Sequence, residues 1–222
     1  ADHAGELRDR ARDASTIAVV GGGLTGIETV TELAETYQDR KVLLVTNGKP
    51  GAMLNERSQH HLWQTFDRLG IEVLSDAAVA KVAEDGLLLE HGEHVDADTV
   101  VWATGFAVPT LAREAGLDVD ARGRMLVDTT LRSLSHPDVY GVGDAALART
   151  EDGEVTRMGC GPGGITGVIG ALAISDRLGD PNRTPRPYRY HDQAWHISLG
   201  RRDGIVQLGV EPDSRVLTGR LA

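Results

Sequence analysis

Cysteine is nearly absent from this sequence. Cys160 is the one cysteine among 222 residues, so no disulfide can form within the chain and a redox-active cysteine pair is excluded. We expect Cys160 to be a small buried thiol. Such sparing use of cysteine fits a reducing compartment and predicts a cytoplasmic protein.

The sequence also lacks long apolar runs and an excess of positive charge. No run approaches the roughly 20 apolar residues that a membrane-spanning helix needs, and the charged segment 1–12 does not resemble a signal peptide. With 33 acidic and 23 basic residues, the formal net charge is −10. This charge argues against nucleic acid or an anionic membrane surface as the main partner.

A convergent set of metal ligands is missing as well. His91 and His94 bracket a predicted turn, whereas His60 and His61 are adjacent on a predicted helix. Neither arrangement brings ligands together, so we expect no metal site. No side chain stands out as a general acid, a general base or a nucleophile, and we predict no catalytic residue.

A glycine turn between a strand and a helix is the most informative feature that is present. Gly21, Gly23 and Gly26 fit the spacing G-x-G-x-x-G, and the apolar run 17–20 before them supplies a buried parallel strand. The free N–H groups and the positive dipole end of the helix would face a pyrophosphate. The residues that we expect to bind a dinucleotide here are Gly21, Gly22, Gly23, Leu24, Thr25 and Gly26.

The pattern along the rest of the chain predicts alternating strands and helices. Apolar runs and helical spacing predict strands over 41–45, 71–74, 100–103 and 139–142, with helices over 56–69 and from 165 to about 178. Alternating strands are predicted between 79 and 99, and a hairpin is predicted from 194–199 and 205–210. We expect Trp102 to lie in the core.

Two further strand ends complete an ordered set of motifs. They are Val101-Trp-Ala-Thr-Gly105 and Tyr140-Gly-Val-Gly-Asp144. Together with the glycine turn, they make the chain resemble the two-dinucleotide flavoproteins of the pyridine-nucleotide-disulfide oxidoreductase superfamily. Within that superfamily it looks most like type II NADH:quinone oxidoreductases and their actinobacterial relatives, a likeness that segments 22–28, 103–106 and 197–204 support.

This resemblance implies an α/β fold in which a Rossmann-like NAD(P)H domain, with a parallel sheet and a β-meander, interrupts a discontinuous FAD domain. We expect a linker or helix over 1–15, the NAD(P)H domain over 16–99 and the second half of the FAD domain over 100–178. A truncated C-terminal region with a short hairpin would follow over 179–222, after a boundary marked by Pro181, Pro185 and Pro187. The first half of the FAD site is not present, so we interpret the chain as a fragment.

The same resemblance assigns roles to individual residues. Asp144 would accept hydrogen bonds from the flavin ribityl chain, or else act as a helix N-cap ahead of Ala145. Glycines before the predicted helix at 165 would let its N-terminus face the flavin, or else form a flexible turn with Pro162 near the helix start. The predicted cofactor-binding residues outside the first turn are Glu28, Thr46, Asn47, Thr104, Gly105, Gly143, Asp144, Gly163 and Gly164.

Two cofactor questions stay open at the level of sequence. Glu28 would contact the nicotinamide or ribose, or would be a first-turn acid that the helix dipole favours. No acid follows the strand at 41–45, where NAD-preferring sites carry one. Thr46 or Asn47 would serve the ribose hydroxyl, whereas Lys49 or Arg57 would meet a 2′-phosphate, although a lysine in a turn is ordinarily just solvated.

These features predict a fragment of an FAD-dependent NAD(P)H oxidoreductase. Hydride would pass from the nicotinamide to the flavin, and electrons would go on to a quinone or another small acceptor. We expect FAD and NAD(P)H as cofactors, a possible homodimer, and a parent protein that is cytoplasmic or peripheral to the inner face of the membrane. The alternative is a noncatalytic nucleotide-binding or interaction module without a complete FAD site.

Overall fold

A computed structural model describes residues 2–180, 182, 187–190 and 194–222. The chain forms two compact units. Unit 1 comprises Ala1–Gly105 with Gln193–Ala222, and unit 2 comprises Phe106–Asp192. The predicted boundary prolines Pro181 and Pro185 lie outside the described residues.

The helices and strands are numbered in chain order. The helices are α1 (Asp2–Asp13), α2 (Leu24–Thr36), α3 (Glu56–Leu69), α4 (Leu111–Glu114) and α5 (Cys160–Gly179). The strands are β1 (Thr16–Val20), β2 (Lys41–Val45), β3 (Glu72–Leu74), β4 (Val79–Ala83), β5 (Gly86–Leu89), β6 (His94–Asp96), β7 (Thr99–Trp102), β8 (Met125–Leu126), β9 (Ala146–Leu147), β10 (Ala194–Ser198), β11 (Gly204–Leu208) and β12 (Arg215–Thr218).

A parallel four-stranded sheet forms the centre of unit 1. Its strand order is β3-β2-β1-β7, and Val19 of β1 pairs with Leu44 on one side and Val101 on the other. Successive side chains of a strand point to opposite faces. Val19 therefore packs with Ile27 of α2 in one buried cluster, while Val20 packs in a second cluster on the other face.

The second face of this sheet is covered by an antiparallel meander of β4, β5 and β6. Leu87 and Leu89 of β5 are buried against Val45 of the parallel sheet. The turn between β5 and β6 is closed by the Gly92 N–H, which donates to the carbonyl of Leu89. The α/β class with a parallel sheet and a meander is thus confirmed.

The C-terminal strands form a third sheet that packs on the outer side of α2 and α3. Its order is β10-β11-β12, so a third strand extends the predicted hairpin. Ile197 and Ile205 are buried in one cluster with Ile27 of α2 and Phe66 of α3. The last part of the sequence is therefore an integral layer of unit 1.

Unit 2 is largely irregular. Its small core contains Met125, Leu131 and Tyr188. The short strands β8 and β9 pair in parallel and contribute side chains to this core. Helix α5 buries Thr166 and Gly170, yet several of its apolar side chains are exposed. These exposed side chains are Ile165, Val168, Leu172, Ile174 and Leu178.

Several sequence predictions require correction. The strand at 99–102 pairs with β1 and lies in unit 1, which runs to Gly105, whereas the domain bounds 16–99 and 100–178 stay predictions. The predicted strand over 139–142 is reduced to an isolated bridge at Tyr140. Helix α5 begins at Cys160, five residues before the predicted start, because Gly159 already acts as its N-cap.

Two side chains expected in the core lie at the surface. Trp102 is 55% exposed because it ends β7, an edge strand of the parallel sheet. Cys160 is also exposed, since it occupies the first position of α5. The helical interpretation of the N-terminal segment agrees with α1.

Candidate functional site

The glycine turn after β1 is closely packed. Gly21 has φ of +126°, and a methyl group there would overlap the carbonyl oxygen of Ala103 at the end of β7. A methyl group on Gly26 would overlap the carbonyl oxygen of Gly21, so α2 lies directly against the turn. Only glycine meets both demands, as the motif predicts.

The N-terminus of α2 carries no side-chain cap. Its N-cap residue is Gly23, at φ of −80°, and no protein atom lies within 4 Å of the position that a Cβ would take there. Leu24, Thr25 and Gly26 form the first turn, where backbone N–H groups have no intrahelical acceptor. Such an end favours an anionic group, and the open space at Gly23 allows that group to approach the backbone.

The ends of two neighbouring strands adjoin the turn. Thr46 follows β2 and is buried, and a methyl group on Gly22 would overlap its hydroxyl oxygen. Asn47 is exposed beyond it. On the other side, Thr104 and Gly105 follow β7 and are exposed, next to Gly21. Unit 1 therefore brings together most of the predicted dinucleotide-binding residues.

Glu28 occupies the second turn of α2, so its interpretation as a first-turn acid is wrong. Its carboxylate accepts a hydrogen bond of 3.0 Å from the backbone N–H of Ser198 in β10. Glu28 also lines an open cleft of about 560 Å³, together with His196 and Ser198 of the C-terminal sheet. The carboxylate thus lies at a surface that is accessible to a ligand.

Two more acids of α2 hold the turn after β10. Glu35 accepts a hydrogen bond of 2.6 Å from the backbone N–H of Arg201, and Glu32 accepts two from the Arg201 guanidinium, at 2.9 and 3.0 Å. Glu28, Glu32 and Glu35 recur at helical spacing on one face of α2. This row of acids joins the C-terminal sheet to the helix that follows the glycine turn.

Asp203 joins the same sheet to α3. Its carboxylate accepts hydrogen bonds from His61 at 2.8 Å, from Arg68 at 2.6 Å and from the Gly204 N–H at 2.8 Å. Burial of Asp203 tends to raise its pKa, but the bond and charge of His61, the Gly204 N–H and the charge of Arg68 outweigh it. The pKa of Asp203 is therefore lowered.

Unit 2 brings together the predicted flavin-binding residues. The Asp144 carboxylate accepts a hydrogen bond of 2.8 Å from the backbone N–H of Gly159, the N-cap of α5. The Gly143 N–H donates to the Thr166 hydroxyl at 2.9 Å. The backbones of Gly143 and Gly163 face each other with no side chain between them, since a methyl group on either would lie within 4 Å of the other.

The details in unit 2 differ from the prediction in two ways. Gly163 and Gly164 lie within α5 and do not precede it, because the helix begins at Cys160. Asp144 does not cap a helix of its own, since a short 3-10 turn at Gly143–Ala145 leads straight into β9. The Asp144 carboxylate instead binds the start of α5.

Sequence reasoning missed Ser198, Gly159 and Thr166. Each acts through a contact with a residue far away in the sequence, and no local pattern marks such a partner. Among the described residues, no group of three or more His, Cys, Asp or Glu side chains is arranged to hold a metal ion. Within the same part of the chain, no helix combines the length and the apolar character required to cross a bilayer.

Comparison with known proteins identifies related sequences. Residues 1–172 match the family model described as pyridine nucleotide-disulphide oxidoreductase. An NADH dehydrogenase-like protein of Mycobacterium tuberculosis is 32% identical over 179 residues, which cover 76% of this chain and 45% of that protein. An NADH dehydrogenase-like protein of Bacillus subtilis is 29% identical over 133 residues, covering 60% and 37%. The chain thus spans less than half the length of these relatives.

Solved structures share the fold. A ferredoxin reductase from Rhodopseudomonas palustris matches with a TM-score of 0.74 at 22% identity, covering 93% of this chain and 51% of that one. An NAD-dependent persulfide reductase from A. fulgidus matches with a TM-score of 0.73 at 21% identity, covering 95% and 39%. At these identities the likeness concerns the fold alone.

Proposed function

Because the chain belongs to the pyridine nucleotide-disulphide oxidoreductase family, we propose that it carries the NAD(P)H site and part of the flavin site of an FAD-dependent NAD(P)H oxidoreductase. FAD and NAD(P)H are the cofactors of this family, as the sequence predicts. The chain spans 45% of the relative from Mycobacterium tuberculosis, so the activity of a whole enzyme is part of this proposal.

The observation that carries the proposal is the uncapped start of α2 at the glycine turn. Its first-turn N–H groups would hold the pyrophosphate, and the absence of a side chain at Gly23 leaves room for it. Thr46 and Asn47 at one side and Thr104 and Gly105 at the other would bind the remaining parts of the dinucleotide. We assign Glu28 to the nicotinamide end, because it lines the cleft one helical turn further along α2.

The flavin would be held by unit 2. The backbones of Gly143 and Gly163 approach each other closely beside the carboxylate of Asp144, at the start of α5. Arg157 and Met158 line the same small pocket. FAD bound there would supply the redox chemistry by which a hydride from NAD(P)H is taken up and electrons reach an acceptor. The residues of the chain bind and orient, and the positive end of the α5 dipole favours negative charge. Gly164, in the second turn of α5, belongs to the same proposed flavin site.

We propose a small molecule as the final acceptor, with a quinone as the first candidate. The quinone rests on the resemblance of the sequence motifs to type II NADH:quinone oxidoreductases. The names of the two NADH dehydrogenase-like relatives give the electron donor and no acceptor. His196 of β10 lines the cleft with Glu28 and Ser198 and is a candidate for contact with the acceptor, whereas Trp195 of the same strand packs against the core of unit 1. A homodimer remains a prediction.

The alternative is a nucleotide-binding module without catalysis. For the 222-residue chain alone we expect dinucleotide binding, no firmly bound FAD and little turnover, because the resemblance assigns to it only the second half of the family's FAD site. The exposed apolar side chains of α5 support an incomplete flavin site, since a complete domain would bury these side chains.

Calorimetric titration of the chain with NADH and NADPH, with and without added FAD, tests the proposal. Binding of a dinucleotide is expected, and Gly23→Ala should abolish most of it. A flavin spectrum that stays with this chain through gel filtration would contradict the incomplete flavin site. If neither dinucleotide binds, the assignment of the glycine turn is wrong.

A further inference from the structure

We propose that the loop between β2 and α3 selects the 2′-phosphate of NADPH over the free 2′-hydroxyl of NADH. This inference rests on the proposed function, because it assumes that a dinucleotide occupies the glycine turn. It goes beyond that function by specifying that the chain prefers NADPH to NADH and by assigning this preference to two side chains. The two side chains are Lys49 in the loop and Arg57 in the first turn of α3.

The position of the loop is the first support. The backbone N–H of Gly51 donates a hydrogen bond of 2.8 Å to the carbonyl of Gly22, so the loop is tied to the glycine turn itself. A Cβ on Gly22 would lie 3.2 Å from the Cα of Pro50. Lys49 is therefore one residue away from a backbone contact with the turn that would hold the pyrophosphate. In this fold, the residues after the second strand meet the ribose of the adenosine.

The lack of an acid at the end of β2 is the second support. A carboxylate there would accept a bond from a ribose 2′-hydroxyl and repel a 2′-phosphate. The chain has Thr46 and Asn47 at this place, and neither carries a charge. The Thr46 side chain is buried against Gly22, so Asn47 is the first exposed side chain after the strand.

The free cations are the third support. Lys49 and Arg57 are exposed, and no hydrogen bond or ion pair engages either side chain within the described part of the chain. Their charges are therefore available to a ligand. A guanidinium and an ammonium are both well suited to a phosphate dianion.

Two acids lie in the same region, and the local backbone accounts for the position of each. Glu56 occupies the first turn of α3, where the helix dipole favours it. Asp76 follows β3 at φ of +54°, a conformation that Asp tolerates better than most residues. Because the Ala77 N–H donates to the Thr46 carbonyl, Asp76 lies near the end of β2 and is the rival candidate for a ribose hydroxyl.

The test compares 2′-phosphorylated ligands with their unphosphorylated counterparts by calorimetry. The pairs are NADPH with NADH, and 2′,5′-ADP with 5′-ADP. For the unsubstituted chain we expect NADPH to bind at least about fivefold more tightly than NADH. Lys49→Ala and Arg57→Ala should each weaken NADPH binding by about tenfold, as the loss of a bond to a charged group implies, and should change NADH binding by less than about twofold.

Matched variants separate a local effect from a change in overall charge. Lys81→Ala on β4 and Arg215→Ala on β12 remove the same charges from exposed positions elsewhere in unit 1, and they should leave the NADPH to NADH ratio unchanged. Asp76→Asn should leave NADH binding unchanged.

The outcomes are distinguishable. If NADH binds as tightly as NADPH, or if Lys49→Ala and Arg57→Ala move the ratio no more than the controls do, the selection by this loop is wrong while dinucleotide binding stands. Weaker NADH binding in Asp76→Asn would assign the ribose to Asp76 and overturn the inference. If neither dinucleotide binds, the proposed function and this inference fail together.

Discussion

The carboxylate of Glu28 accepts a hydrogen bond of 3.0 Å from the backbone N–H of Ser198, which lies 170 residues further along the chain. Ser198 belongs to β10, an edge strand of the C-terminal sheet. The helix that follows the glycine turn and the last sheet of the chain are thus linked at the residue we assign to the nicotinamide end. This link can be broken without changing the packing of the core.

Glu28→Ala should lower the free energy of unfolding by about 1 kcal/mol, because the Ser198 N–H loses its acceptor. Glu28→Gln keeps an acceptor oxygen and should cost less than half of that. Chemical unfolding measures both variants. Glu211→Ala, at an exposed acid of the same sheet region, should have no effect. Equal losses for Ala and Gln would show that the charge, and not the hydrogen bond, stabilises this link.

Gly26→Ala should destabilise unit 1 by about 2 kcal/mol and abolish dinucleotide binding, since its methyl group would overlap the Gly21 carbonyl. Gly23→Ala meets no protein atom, so it should cost less than about 1 kcal/mol while still weakening binding at least tenfold. Thermal unfolding measures the loss of stability, and calorimetry measures the loss of dinucleotide binding.

The control for both glycine variants is Gly5→Ala. Gly5 lies inside α1 with open space around it, and alanine there should stabilise the helix by about 0.5–1 kcal/mol without altering affinity. If Gly23→Ala binds the dinucleotide as well as Gly5→Ala does, no ligand approaches the backbone at Gly23.

Asp203→Asn should destabilise unit 1 at neutral pH by about 1–3 kcal/mol, because His61, Arg68 and the Gly204 N–H lose a charged acceptor. The pKa of Asp203 is lower in the folded chain than in the unfolded one, so its charged form stabilises the fold above about pH 4. That stabilisation is lost as the pH falls further, through the folded-state pKa.

Unfolding free energies measured between pH 7 and pH 3 check this dependence. The difference between the unsubstituted chain and Asp203→Asn should shrink as the pH falls below about 4. Asp213→Asn, at an exposed position between β11 and β12, should show no such difference at any pH. A constant gap down to pH 3 would contradict the assigned role of the Asp203 charge.

Gln207→Leu should cost about 3 kcal/mol although leucine has a similar size. Gln207 is fully buried, and its side-chain oxygen accepts bonds from the Asn55 N–H at 2.9 Å and the Ser58 hydroxyl at 3.0 Å. Leucine would leave both donors buried without a partner. Leu208→Ala, at the exposed neighbouring position, should change stability by less than about 0.5 kcal/mol. A small loss for Gln207→Leu would mean that water reaches these donors.

Asp144→Ala should loosen the start of α5, because the Gly159 N–H loses its bond to the carboxylate. Hydrogen exchange at Gly159 should become faster in this variant, while Asp144→Asn, which keeps an acceptor oxygen, should preserve most of the protection. Unchanged exchange in Asp144→Ala would show that another acceptor holds this N–H.

The sequence predicts much of unit 1 because the bounds of its helices and strands are set by residues within or next to each element. The bounds of β2 and α3 agree with the predicted ranges 41–45 and 56–69. The side chain of Asn55 caps the start of α3, and Gly70 ends it in a left-handed conformation, so both ends have clear markers in the sequence.

The sequence predictions are wrong where the structure depends on contacts between residues that are far apart in the chain. The apolar run at 100–103 predicts a strand correctly, but nothing in the run indicates that it pairs with β1. The edge position of β7, which exposes Trp102, depends on the same choice of partner. The bond between Glu28 and Ser198 is invisible in the sequence for the same reason, since neither residue carries a local signal for the other.

The place of the C-terminal sheet in unit 1 has a consequence for the order of events during synthesis. The ribosome makes β1, β2, α2 and α3 early, but the surface that Ile27 and Phe66 bury against Ile197 and Ile205 stays uncovered until β10 and β11 emerge. All of unit 2 is translated in between. Unit 1 therefore completes its folding only after unit 2 has been synthesised, and a stalled nascent chain would present an apolar helix surface to chaperones.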